Sequence, residues 1–231
     1  MSRLVSMLLV LCSLVIAVPV FAVDGTVLIN QASVTAAGGF PYKITQPGSY
    51  KLSSNLVVPA NTDAVQILVS HVTLDLNGFS IIGPIVCDNG TNCAPSTSSD
   101  VHGILARGFT NITIRNGHIK GFRRGLFLAD GVVEEVHATD NLQIGILASH
   151  SVLRRNIVSN NGGGGIVAQA CIVTENVADT NPGGGFALSQ GGVFSNNILI
   201  SPAGSQLSIT GDVVSPHNNS CTDSNGNTNP C

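Results

Sequence analysis

The sequence predicts an all-β fold in which the chain winds into a coil of short parallel strands, and three observations carry that reading. Gly103-Ile104, Gly125-Leu126, Gly145-Ile146, Gly165-Ile166 and Gly185-Phe186 repeat one pattern at steps of 22, 20, 20 and 20 residues. Two further apolar columns keep the same beat: Ile114, Val133, Leu153, Val173 and Val193, then Ile119, Ala138, Val158, Ala178 and Ile198. Two Asn columns, Asn156, Asn176 and Asn196 and Asn141, Asn161 and Asn181, fall where such a coil must change direction. Three inward columns per period predict three faces per turn.

A repeat of this length buries its apolar positions only against its neighbours, as in leucine-rich, helical or β-solenoids. Here the segments are short, rich in Val, Ile and Thr, and broken by Gly or Asn before a helical period can establish itself, so they read as strands. Stacking at the parallel spacing of roughly 4.8 Å lets Asn amides bond along a column, and Asn tolerates a left-handed corner. Val136 and Gly117 stand where the column would continue, so the ladder is expected to stop there and the earlier coils to be looser.

In chain order, residues 1–22 read as a signal peptide: Arg3, an apolar run from Leu8 to Val20, then Val20-Phe21-Ala22 as a cleavage site. Residues 23–43 are expected to cap the open end of the coil, with Leu28 to Ala37 as a short helix or edge strand. The coils are expected over 44–215. An insertion at 84–100 contains Cys87 and Cys93, expected as one local disulfide, and the polar tail 216–231 contains Cys221 and Cys231, expected as another. Cys171 is left as a packed thiol.

Charged residues make up 10% of the chain. Without Arg3, 9 basic residues face 13 acidic ones, a net charge of −4 that argues against a nucleic-acid partner. No second segment is built to span a membrane, so the exported chain is expected free of the membrane, secreted or periplasmic, and monomeric.

Pro47-Gly48-Ser49-Tyr50-Lys51-Leu52, Val72-Thr73-Leu74-Asp75-Leu76-Asn77-Gly78 and the Gly-Ile repeats with Asn corners together resemble secreted bacterial right-handed parallel β-helix repeat proteins of the pectate-lyase-like superfamily. The resemblance covers nearly the whole mature chain. It implies a right-handed parallel β-helix, here of about seven coils, and a polysaccharide as partner, with lyase or hydrolase chemistry among the superfamily's activities. Lyases of this kind hold Ca2+ with acidic residues beside a basic one, and polygalacturonases use paired aspartates with a His. Neither set is recognisable here, so no metal ligand or catalytic residue is carried over and no cofactor is called for.

The residues themselves offer two sets of candidates. Arg115, Glu134 and Arg154, beside Glu135, Arg155 and Glu175, alternate in sign along two columns. They form either a ladder of ion pairs or an anionic-sugar groove with a carboxylate as acid or base. Binding candidates are Asp88 and Asp100 in the inserted loop and two stacked pairs, His118 with His137 and Asp130 with His150, neither with a third metal ligand in view. Arg107, Arg123 and Arg124 gather near one turn as an anion contact or simple surface charge. The chain has no Trp and only two Tyr to stack on sugar rings. Two functions follow: an extracytoplasmic carbohydrate-interacting protein, or a non-catalytic structural or adhesion solenoid.

Overall fold

The computed structural model describes residues 25–88, 92–94, 100–200, 207–215, 218–222 and 228–230. The expected signal peptide and Cys231 lie outside them.

Short Val- and Ile-rich runs become strands, and single residues with positive φ turn the chain between them. Asn111, Asp130, His150 and Ala170 line the corner between the first and second faces. Asn116, Glu135, Arg155, Glu175 and Asn196 line the second corner, and Asp140, Asn160 and Thr180 the third, all with φ between 49° and 60°. The left-handed region costs an L-residue roughly 1–2 kcal/mol. What holds each corner is the parallel pairing of every strand with its counterpart one coil on.

The first face contains Tyr42–Ile44, Val65–Ile67, His102–Ala106, Arg124–Ala129, Ile144–Ser149 and the first halves of Gly164–Thr174 and Phe186–Ser195. Ile104, Leu126, Ile146, Ile166 and Phe186 pair in register and are almost completely buried, as the Gly-Ile pattern predicts. The glycine before each is required by space: a Cβ on Gly165 would lie 2.5 Å from the Gly185 carbonyl oxygen. The second face carries nine strands among the described residues, from Thr26–Ile29 to Val213–Val214, so the parallel β-helix has about nine coils rather than seven. The difference lies at the ends. Thr26–Ile29 pairs with Gly48–Leu52 and is already a rung where only a cap was expected, and Leu207–Thr210 and Ser220–Thr222 extend the first and third faces.

At the N-terminal end Gln31–Ala36 is a helix of six residues, held by a capping box in which Asn30 and Ser33 each bond the other's backbone N–H. Val34 packs into the core, and Gln31 Oε1 accepts the N–H of Val57, a group of the terminal rung that has no strand beyond it. Val86–Asp88 and Asn92–Ala94 form an antiparallel pair joined by the Cys87–Cys93 disulfide. Cys221 is also disulfide-bonded.

The Asn columns run inside the coil, not at the corners themselves; the left-handed residue is the one before each Asn. Asn176 Oδ1 accepts both the backbone N–H of Asn156 (2.9 Å) and its Nδ2 (3.0 Å), while Asn176 Nδ2 donates to the Leu153 carbonyl (2.9 Å). Asn161 treats Asn141 in the same way, at 3.1 and 2.9 Å. Each Oδ1 serves the rung before it, so the first rung needs no amide: Asn156 caps the N–H of Val136 and Asn141 that of Phe122. The ladder thus stops at Val136, as the sequence indicates. In the other direction it passes to Asn197 and Asn219.

One expectation fails in the coil of Phe186–Ser195. Val173 pairs with Phe194 and Ala178 with Leu199, so Phe194, Asn197 and Leu199 point inward in place of Val193, Asn196 and Ile198. The cause is one extra residue at the corner, where Gly191 and Gly192 adopt φ of 85° and 120°. Cys171 occupies the column of Ser151, and its thiol donates to Gln169 as the Ser151 hydroxyl does to Ser149. Burial raises the Cys171 pKa, as befits a packed thiol.

Replacing Asn176 by Ala strands the buried Asn156 N–H and the Leu153 carbonyl, and at about 1–3 kcal/mol per unsatisfied group the loss should reach roughly 3 kcal/mol in denaturant unfolding. The exposed Asn196→Ala should cost about 1 kcal/mol or less in the same series.

Candidate functional site

The alternating charges of the second corner are used up by one another. Arg154 Nε donates to Glu134 Oε2 at 2.7 Å, and Arg155 reaches Glu135 at 3.1 Å, Glu134 at 3.5 Å and Glu175 at 3.6 Å. Arg115 pairs at 3.5 Å with Asp75, one rung earlier, a partner the register of the later coils did not reveal. Glu134 is largely buried beneath both guanidinium groups, which leaves it no free face toward a substrate. The corner is an ion-pair ladder.

The histidine pairs are less organised. His118 and His137 meet edge to face at 4.7 Å between ring centroids, and burial, with the neighbouring His118, lowers the His137 pKa. Asp130 and His150 sit on adjacent corner rungs beside a shallow pocket of about 500 Å³, with no hydrogen bond or ion pair between them. Among the described residues no group of three His, Cys, Asp or Glu is placed to hold a metal. The Asp88 side chain lies outside the described residues.

The first face holds the most organised polar group. Asp63, in the turn before Val65–Ile67, accepts the backbone N–H of His102 at 2.7 Å, and its Oδ1 lies 3.3 Å from His102 Nδ1. The Gln66 amide donates to its other oxygen at 2.8 Å. Burial opposes ionisation of Asp63, but these bonds outweigh it and hold its pKa below the ordinary value. His102 is only 4% exposed, and its Nε2 has no hydrogen-bond partner. Arg124, one rung on, donates to both oxygens of Asp100 at 2.6 Å, and Asp100 Oδ1 lies 4.0 Å from His102 Nε2.

Asp100, His102 and Arg124 line a pocket of about 360 Å³ with Ile67, Leu68, Leu105, Arg107 and Phe127. The Arg107 guanidinium lies 5.6 Å from the centre of the Phe127 ring. From there an outward apolar column, Leu105, Phe127, Leu147, Val167 and Ala187, runs along the face to a second pocket of about 410 Å³ between the Gly163-Gly164 and Gly183-Gly184 turns. Asp63 and Asp100 are taken up by His102 and Arg124. Asp100 and Arg124 were visible as candidates in the sequence. Asp63 and His102 were not, because 39 residues and an irregular coil separate them.

The family described as right handed beta helix region matches residues 44–220, and the chain belongs to it. The coil is therefore a right-handed parallel β-helix, compatible with the pectate-lyase-like superfamily. No curated protein and no solved structure matches the chain.

Arg155→Ala should cost less than about 1 kcal/mol, because its partners Glu135 and Glu175 are exposed and the buried Glu134 keeps Arg154, and the loss should shrink in 1 M salt when unfolding is repeated there. For His137, a folded-state pKa below the ordinary 6.5 means that the unfolded chain takes up the proton first on acidification. Stability should therefore fall as pH drops below 6.5, and His137→Gln should flatten that slope in unfolding midpoints measured across the range.

Proposed function

We propose that this protein is an extracytoplasmic carbohydrate-binding β-helix whose ligand lies lengthwise on the first face. The observation that carries this reading is the outward column from Leu105 to Ala187, running between two pockets on that face. Its four steps span roughly 19 Å at the parallel-strand spacing, which suits an oligosaccharide better than a single sugar. Phe127 supplies the ring surface against which a sugar's C–H face packs, in a chain without Trp. Gln143 and Ser208 at one end and Arg107 and Arg124 at the other supply the polar contacts that fix hydroxyl groups. For proton transfer on a bound glycan, His102 oriented by Asp63 is the best-placed group.

The second face also carries an outward apolar column, Val132, Val152, Ile172, Val193 and Val214, but it borders the ion-paired corner. Export is supported by the sequence of residues 1–22 and by the Cys87–Cys93 disulfide, a bond of oxidising compartments. No helix among the described residues is long and apolar enough to cross a membrane. The Asn ladders and the ion-paired corner favour a second reading, a structural or adhesion solenoid without catalysis.

Affinity electrophoresis of the mature chain against neutral and acidic polysaccharides separates the two. Retention by at least one polysaccharide is expected, and Leu147→Asp or Val167→Asp should weaken it tenfold or more with an unchanged unfolding midpoint. Retention by none would favour the structural solenoid.

A further inference from the structure

Asp100 is unusual among the charged groups of the first face because it is half-exposed yet sits over a built pocket. Its carboxylate takes two 2.6 Å bonds from Arg124 and approaches the buried, unpartnered Nε2 of His102 at 4.0 Å. A carboxylate in that place therefore meets Arg124 and lies beside His102 Nε2. Arg107 lines the same pocket and has no ion-pair partner among the described residues. The Nε of Arg124 is buried without a partner too, so Asp100 leaves part of the available donor set unused.

The remaining walls are apolar. Phe127 and Leu105 form the floor, and Leu68, 42% exposed, stands at the rim with no partner to cover it. A pocket of about 360 Å³ lies within the small-molecule range of roughly 300–1,000 Å³, and one apolar wall facing two guanidinium groups selects for an amphipathic anion.

We propose that the pocket formed by His102, Arg107, Arg124, Leu68, Leu105 and Phe127 binds a small carboxylate bearing an apolar ring or chain, and that Asp100 occupies the carboxylate's place in the free protein. The Asp100 side of the Asp100–Arg124 pair is exposed to water, so Asp100 can be exchanged for a ligand carboxylate that also brings apolar surface to Phe127 and Leu68. The pocket is the Arg107 and Arg124 end of the proposed glycan face, and binding of a small carboxylate there does not depend on whether a glycan binds.

Benzoate is the probe, with benzamide as its uncharged counterpart, and calorimetric titration and thermal unfolding of the mature chain are the readouts. Benzoate should bind and raise the unfolding midpoint while benzamide does neither. Asp100→Ala, which vacates Arg124, should bind benzoate at least tenfold more tightly than the unaltered chain. Arg124→Gln should lose the response, and the exposed Arg107→Gln, which leaves the rungs intact, should weaken it at least threefold if Arg124→Gln fails to fold. Equal binding of benzoate and benzamide would overturn the assignment. So would an Asp100→Ala variant that binds benzoate no more tightly, or full binding retained by the arginine variants.

Discussion

Each coil must turn its chain three times through a backbone region that L-residues disfavour, without leaving a buried N–H unpaired at the bend. At the second and third corners the side-chain amide of a buried Asn meets that constraint. Placed just after the left-handed residue, its Oδ1 takes the backbone N–H and Nδ2 of the Asn one rung before it, and its own Nδ2 returns a bond to a carbonyl of the preceding coil. The strands on either side pair through their backbones, so the amide completes the ladder at the one place where the backbone cannot. Because the bonding is directional, a column can begin at a residue without an amide, such as Val136 or Phe122.

Once the corners are held from within, the outward positions are released from structural duty. They diverge by face. On the second corner they carry opposite charges one rung apart, which adds little stability per exposed pair but keeps like charges from stacking. On the first face they carry an apolar column, bordered at one end by the disulfide-bearing insertion that delivers Asp100, where the chain departs from its regular repeat, and at the other by the glycine pairs at 163–164 and 183–184. Irregular turns on a regular scaffold are where binding groups are generally placed.

What the sequence made legible follows the same division. The Gly-Ile column was readable because the glycines have no room for a Cβ and the following residue is always inward. The end of the Asn ladder was readable at Val136 for the same reason of position. The extra residue at Gly191-Gly192 was not allowed for, so every column after it was placed one residue early; the Gly-Gly pair at a corner was the available signal. The rung Thr26–Ile29 was missed because it lies outside the regular period. The Asp63–His102 pair was invisible for a related reason: one coil without the 20-residue beat, lengthened by an insertion, separates its members, and only the folded register brings them together.

The central claim is that ligand chemistry belongs to the outer surface of the first face and that the charged corner between the second and third faces is structural. Methyl-resolved NMR of the mature chain, titrated with a mixed polysaccharide digest, addresses it directly, because both faces carry outward aliphatic reporters. Shifts confined to Leu105, Leu147 and Val167 are the predicted result. Shifts centred instead on Val152, Ile157 and Ile172, around Arg154 and Glu175, would contradict the account and return the site to the charged corner.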